Sequence, residues 1–212
     1  MKETLTQNSN LCLAQAQYLF FKKASEAGMN PTVLSKIAAQ VALYFDKAFQ
    51  ANQVSPDLRS FDNRKFANVM GYHARYFQAQ SYWQLGSSLF KKANDEGRGM
   101  ALAIANLTVC VEKFNESKPY CDALGGAYQS NFQTKFAEAQ QLLAKAIDEN
   151  KKIYYEHNIP TSELAKPDPQ NFVNLLQMND ELNVTPELDE KLRHIVPPAV
   201  RVLQDELKNV LQ

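Results

Sequence analysis

The chain has 212 residues, of which 45% are hydrophobic and 22% are charged, and its formal net charge is +0. This length suits one domain with a substantial core, and seven glycines and nine prolines are too few for a low-complexity chain. Zero net charge weighs against nucleic acid as the main partner, because duplex binding draws on a clear positive excess.

The first predicted element is a helical hairpin. Apolar residues and good helix formers run through residues 11–24, and Gly28 is placed as the glycine that ends a helix. Asn30 followed by Pro31 is typical of an N-cap and a first helical position. Over residues 34–48, apolar side chains recur at spacings of three and four, which predicts a second helix. The short connection predicts that the two helices are antiparallel.

After a break at Ser55-Pro56-Asp57, apolar spacing predicts three more helices, and Pro119 and Gly125-Gly126 interrupt the chain before the last one. The predicted ranges are residues 58–94, 100–114 and 132–155. Between residues 72 and 114, aromatic side chains in one helix and small ones in the next are typical of a single tetratricopeptide-like hairpin. The residues that carry this pattern are Tyr76, Ala79, Tyr82, Trp83, Gly86, Ala101 and Ala105.

The last part of the chain differs in composition, since six of the nine prolines follow His157. We expect an ordered wrap with short helices here, followed by a final helix from about residue 199. No stretch alternates as a half-buried strand does. The predicted fold class is therefore all-α: a single domain over 1–212, with an elongated stack of antiparallel helical hairpins over 1–158 and a proline-rich wrap over 159–212.

No residue pattern indicates a catalytic or metal site. The chain lacks a His-Glu-x-x-His pair, a Gly-x-Gly-x-x-Gly loop, a Walker loop and a nucleophile elbow. His73, His157 and His194 are scattered, and Cys110 and Cys121 have neither the close pairing nor the nearby histidines of a zinc site. Because no cluster offers a nucleophile, a base and oxyanion donors together, we expect a non-enzymatic protein without cofactor or metal.

Cysteine usage and hydropathy predict the compartment. Cys12, Cys110 and Cys121 are far apart and odd in number, which predicts free, buried thiols in a reducing environment. No run reaches the ~18 apolar residues of a membrane span, and the polar residues 1–10 lack the apolar core of a signal peptide. A cytoplasmic protein is the resulting prediction.

An ordered series of motifs resembles the BRO-one domain family of ALIX-type scaffolds. Residues 11–24, LCLAQAQYLFFKKA, are similar to that family's LAQAQ helix, and the likeness continues through KIAAQ, YFDKAF and YFQAQ further along the chain. NKKIYYE at 150–156, Ile159-Pro160 and IVPPAV at 195–200 resemble its closing elements. The resemblance implies an all-helical, non-enzymatic scaffold of the ESCRT pathway that acts in multivesicular-body sorting and membrane remodelling.

The resemblance also implies a docking site for the carboxy-terminal amphipathic helix of an ESCRT-III subunit of the snf-seven type. The corresponding residues are Phe20, Val33 and Ile37, with Lys23 beside them to meet acidic groups of the partner. Val33 and Ile37 are four residues apart and share a helix face. The same apolar trio also suits a buried core, and Phe21 is the alternative to Phe20 as the outward-facing ring.

Three further expectations come from the resemblance. A tyrosine at position 154 or 155 would be phosphorylated, and packing of Tyr154 and Tyr155 against the wrap is the structural alternative. The family's amino-terminal part is absent from this chain, which is either a natural short form or a piece of a longer protein, and the apolar surface that this absence would expose favours dimerisation. The protein would be cytoplasmic and would associate peripherally with endosomal membranes.

Two other functions stay open on the residues alone. A tetratricopeptide-like adaptor would bind an unrelated peptide in a concave groove lined by Tyr72, Tyr76 and neighbouring polar residues. A membrane-surface or adhesion protein would act through basic patches that include Lys22, Lys151 and Lys152.

Overall fold

The computed structural model describes residues 2–54 and 65–174. These ranges contain α-helices, one π-helical turn and one 3-10 turn, and no strand, which confirms the predicted all-α class. The elements are α1 (Lys2–Glu26), α2 (Pro31–Val54), α3 (Lys65–Glu96), α4 (Met100–Leu124), α5 (Ala127–Glu149), a π-helical turn (Asn150–Tyr154) and a 3-10 turn (Thr161–Glu163). The prediction for residues 55–64 and most of the predicted wrap, with its final helix, lie outside the described residues.

Each helix packs mainly against its neighbours in the chain, so α2 lies between α1 and α3, and α4 lies between α3 and α5. Short connections at 27–30, 97–99 and 125–126 produce this order, because a loop of a few residues can only return the chain antiparallel. The predicted cap of α2 is present: the Thr32 N–H donates to Asn30 Oδ1 at 2.8 Å. The predicted hairpins therefore form from local signals.

Two helices are longer than predicted. α1 begins at Lys2 and not at residue 11, and α4 continues to Leu124 and not only to residue 114. Pro119 lies inside α4, where it removes the N–H that would bond to the carbonyl of residue 115. That carbonyl lies on an exposed part of the helix, where water can replace the lost bond, while Cys121 is fully buried beyond it. Packing of the last turn outweighs the proline.

The main core is a continuous set of aromatic rings between α3, α4 and α5. Tyr76 packs edge-on against Phe114 at 5.6 Å between ring centroids, and Phe114 packs against Phe132 at 5.9 Å. Phe132 in turn stacks on Phe136 at 5.4 Å. Edge-to-face and offset contacts of this kind add stability beyond the area that the rings bury, so these rings hold the three helices in a fixed arrangement.

The NKKIYYE motif joins the end of α5 to the start of α4. The Asn150 amide donates to the Glu156 carbonyl at 2.9 Å and accepts from the Glu156 N–H at 3.1 Å, which closes the turn. The Glu156 carboxylate then accepts from the N–H groups of Gly99 at 2.5 Å and Ala101 at 2.7 Å. Gly99 has no side chain to cap α4, so a carboxylate from a distant turn satisfies these free N–H groups and complements the helix dipole.

Candidate functional site

The four residues of the predicted docking site come together at the α1–α2 turn. Phe20 and Val33 pack, half-buried, around a small apolar cluster of Ala24, Leu34 and Ile37. The loop at 27–30 places the last turns of α1 beside the first turns of α2, which is why residues far apart along two helices meet here. Lys23 is exposed one turn beyond Phe20. We call Phe20, Val33 and Lys23 the α1–α2 patch.

Ile37 differs from the expectation for a surface contact. Its side chain is 0% exposed, so it forms the floor of the α1–α2 patch beneath Phe20 and Val33. The reason is geometric, since Ile37 lies one turn further into the interface between α1 and α2 than Val33 does. In this conformation Ile37 supports the two residues above it and is not itself open to contact.

Phe21 packs on two sides, against α3 and against the same apolar cluster that supports Phe20. Its ring packs edge-on against Phe77 of α3, with 5.7 Å between centroids and 85° between ring planes. Phe20 contacts the same cluster. Neighbouring residues on a helix point about 100° apart, so both rings reach the cluster and Phe21 in addition reaches Phe77 of α3.

An extended segment, residues 165–174, crosses α1 and α2 at this place, and we call it the strap. The Gln170 N–H donates to the Lys36 carbonyl at 3.1 Å. The amide of Gln17 donates to the Gln170 carbonyl at 3.0 Å and accepts from the Phe172 N–H at 3.2 Å. The Phe172 ring stacks on Phe20 with 4.8 Å between centroids and 13° between planes. The strap therefore lies over part of the α1–α2 patch.

Gln17 and Phe172 did not emerge from the sequence as site residues. Gln17 is 0% exposed, although it is polar. A weak signal exists, because Gln17 precedes Phe20 by three residues and so shares its helix face. Gln17 and Phe172 are 155 positions apart, and no local sequence pattern indicates that they contact each other.

A concave groove of about 650 Å³ lies between α1, α3 and α5. It is lined by Tyr72 and Tyr76, as the adaptor hypothesis expects, together with polar groups of Gln80, Asn131 and Lys135. The Asn131 amide donates to the Tyr76 hydroxyl at 3.2 Å. Two buried atoms in its wall, the Tyr72 hydroxyl and His73 Nδ1, have no hydrogen-bond partner among the described residues. Burial raises the pKa of the Tyr72 hydroxyl, so it stays protonated.

His73 should make folding sensitive to acid. Its ring stacks on Phe45 at 4.8 Å, and burial lowers its pKa to about 4 from an ordinary value near 6.5. Between these values the unfolded chain binds a proton that the folded chain rejects, so stability falls as the pH drops through that window. From pH 7 to about pH 4.5 we expect His73 to remove about 2.5 kcal/mol from the free energy of unfolding, at about 1.4 kcal/mol per pKa unit.

Urea titrations at both pH values test this effect. His73→Phe cannot titrate and should lose less stability on acidification than the wild type, by about 2.5 kcal/mol. His157 is exposed, so His157→Gln serves as the control and should behave as the wild type. An equal loss in wild type and His73→Phe would show that His73 is not the responsible group.

The two candidate tyrosines have different surroundings. The Tyr154 hydroxyl donates to Asn94 Oδ1 at 2.7 Å and ties the π-helical turn to α3. Tyr155 is 73% exposed and has a left-handed backbone, with φ of 55°. Its hydroxyl is the more accessible to a kinase, and phosphorylation at either position stays a prediction. Of the nearby lysines, Lys152 pairs with Asp148 at 2.8 Å.

The cysteines are free, but only two are buried. Cys110 and Cys121 lie in the core, where burial raises the pKa of both thiols, whereas Cys12 is exposed on α1. Within residues 2–54 and 65–174, no group of three histidine, cysteine, aspartate or glutamate side chains is placed to hold a metal ion. No helix in the same ranges is both long and apolar enough to cross a membrane.

Comparison with known sequences gives a match over nearly the whole chain. A family model described as BRO1-like domain matches residues 1–205. The chain is 26% identical over 178 residues to the vacuolar-sorting protein BRO1 of Arabidopsis thaliana, a match that covers 84% of this chain and 20% of that protein. It is 30% identical over 118 residues to the ALG-2 interacting protein X of Dictyostelium discoideum, covering 55% of this chain and 14% of that protein.

Two solved structures share the fold. The crystal structure of ALIX in complex with the SIVmac239 PYKEVTEDL late domain matches with a TM-score of 0.72 and 22% identity, over 94% of this chain and 26% of that one. The ALIX BRO1–CHMP4C complex matches with a TM-score of 0.71 and 22% identity, over 84% of this chain and 46% of that one. The chain thus spans about a fifth of the plant relative and less than half of the ALIX BRO1 chain.

Proposed function

Because the chain belongs to the BRO1-like domain family, we propose that it is a non-enzymatic scaffold that docks an ESCRT-III subunit. The ligand is the carboxy-terminal amphipathic helix of that subunit, of the snf-seven type, and the site is the α1–α2 patch. The observation that carries this proposal is the convergence of Phe20, Val33 and Lys23 at one turn of a fold that is also seen in the ALIX BRO1–CHMP4C complex.

The patch has the composition that helix docking needs. Phe20 is an aromatic anchor beside the branched Val33, and both rest on the fully buried Ile37. An amphipathic helix that lays its apolar face on such a surface gains most of its affinity from a few large, well-supported side chains. A rigid floor lowers the entropic cost of ordering these contacts.

Lys23 adds a charge that suits an acidic partner. It is exposed at the edge of the patch and forms no ion pair among the described residues. Lys22, its neighbour, borders the concave groove on the other side of α1. A partner helix with acidic residues on its polar face would be attracted to Lys23, and this attraction would weaken at high salt.

Titration of a labelled peptide from the terminal helix of a CHMP4C-type subunit tests the proposal. We expect saturable micromolar binding that Lys23→Glu weakens about fivefold to tenfold, because an exposed charge contact contributes about 1 kcal/mol and reversal adds repulsion. Lys22→Glu changes net charge equally and should bind as the wild type does. A well-folded wild type that does not bind, or an equal loss in both variants, would contradict docking at this patch.

Docking would also determine where the protein acts. A scaffold held by ESCRT-III would be recruited from the cytoplasm to endosomal membranes, in keeping with the vacuolar-sorting name of the plant relative. Peripheral membrane contact through lysines and dimerisation of this chain remain predictions, and the α1–α2 patch requires neither.

A second candidate function is peptide binding in the concave groove. The groove of about 650 Å³ supports it, since the aromatic rings of Tyr72 and Tyr76 and the polar groups of Gln80, Asn131 and Lys135 line it. Polar side chains at such a surface could pair with the amide groups of a bound peptide. Locating the bound ESCRT-III peptide distinguishes the two surfaces.

A further inference from the structure

We propose that the strap is a built-in competitor of the docking partner: Phe172 occupies the ring face of Phe20 that the incoming helix needs, and binding displaces it. This inference rests on the proposed docking function and adds regulation to the same site. It comes from the position of residues 170–173 on α1 and α2, which the function itself does not require.

The ring geometry makes the two contacts exclusive. Phe172 stacks nearly parallel on Phe20, with 4.8 Å between centroids and 13° between planes, so it covers part of one face of that ring in an offset stack. Phe20 also packs against the cluster with Leu34 and Ile37, which leaves less of its ring free for a partner. An apolar side chain from a docking helix that contacts the face of Phe20 would therefore overlap with Phe172.

Phe172 is held in place without being part of the core. It is 40% exposed even when stacked, whereas Val173 beside it packs against the main core cluster. Val173 thus anchors the strap, and Phe172 can leave Phe20 without opening the core. Because the Phe172 ring stays partly in water while it stacks on Phe20, a side chain of an incoming helix could replace it.

Gln17 positions the strap. Both polar atoms of its buried amide are used, one by the Gln170 carbonyl and one by the Phe172 N–H, in the manner of a neighbouring strand. A third bond joins the Gln170 N–H to the Lys36 carbonyl. The strap is held over Phe20 by a few hydrogen bonds of modest net strength and by one ring stack. This conformation is populated in the free protein, and a partner can displace it.

The apparent affinity for the partner equals the intrinsic affinity multiplied by the fraction of molecules in which Phe172 has left Phe20. Phe172→Ala removes the competing ring and should tighten binding of the labelled CHMP4C-type peptide by about threefold to tenfold, the equivalent of one aromatic contact. Gln17→Leu keeps a buried side chain of similar size but loses both bonds to the strap, and it should tighten binding in the same direction. Tyr155→Ala removes an exposed tyrosine that belongs to neither the strap nor the α1–α2 patch and should leave the affinity unchanged.

Hydrogen exchange of residues 165–174 gives an independent readout, because saturation with peptide should speed exchange at the Gln170 and Phe172 amides. Weaker or unchanged binding by Phe172→Ala, with normal binding by the wild type, would contradict competition by the strap but not docking at the α1–α2 patch. Absence of binding by both the wild type and Phe172→Ala would contradict the docking proposal, and competition by the strap would then fail with it.

Discussion

Replacing Phe20 with aspartate is expected to reduce binding of the ESCRT-III helix by more than about thirtyfold. A central aromatic anchor typically contributes at least 2 kcal/mol, and a carboxylate in its place would lose solvation against Val33 and the apolar side chains of the partner. The variant also loses the stack on Phe172, but the ring that the partner would contact is lost with it, so this loss does not restore binding. Peptide titration, with circular dichroism as a check on helix content, measures the effect.

Leu19 provides the matched control. It is the preceding residue of the same helix, it is 63% exposed, and Leu19→Asp introduces the same charge away from the patch. We expect Leu19→Asp to bind within about twofold of the wild type, because surface substitutions away from a contact change little. Equal losses in the two variants would mean that charge on α1, and not the Phe20 contact, governs binding.

Replacing Gly86 with valine is expected to lower the free energy of unfolding by about 3 kcal/mol. A Cβ atom on Gly86 would lie 2.8 Å from Leu107 Cγ and 3.2 Å from the Leu107 backbone nitrogen. Leu107 is fully buried, so neither its side chain nor its backbone can move aside without shifting α4. Overpacking of a rigid core typically costs about 1–3 kcal/mol, and the branched valine needs more space than one Cβ.

Urea unfolding of Gly86→Val beside Lys91→Val measures this cost. Lys91 is exposed on the same helix, so its variant reports the lower helix propensity of valine, about 0.5 kcal/mol. A loss in Gly86→Val no greater than in Lys91→Val would show that α3 and α4 do not depend on a close approach at Gly86.

Local signals were sufficient to predict most of the fold. Asn30, Pro31 and Gly28 mark the α1–α2 turn in the sequence, and the structure has a cap, a helix start and a positive φ of 67° at those positions. Pro119 misled the prediction, because its cost of one hydrogen bond is local, whereas the burial of Cys121 that offsets it depends on helices distant in the chain. Tertiary packing decides such cases, and single-sequence patterns do not contain it.

The site was predictable only in part, for a similar reason. Helix periodicity places Val33 and Ile37 on one face, but it does not say at what depth each lies, and the structure buries Ile37 completely. The strap joins Gln17 to Phe172 across 155 positions. No periodicity or cap connects them, so only the folded chain reveals that part of the patch is covered.

The most direct measurement is photo-crosslinking with a CHMP4C-type terminal helix that carries a photoreactive leucine on its apolar face, followed by mass spectrometry of the linked protein. We expect links to the segments that contain Phe20 and Val33, and excess unlabelled peptide should reduce them. Links confined to the groove segments around Tyr72 and Tyr128, with none at the α1–α2 patch, would contradict docking at that patch.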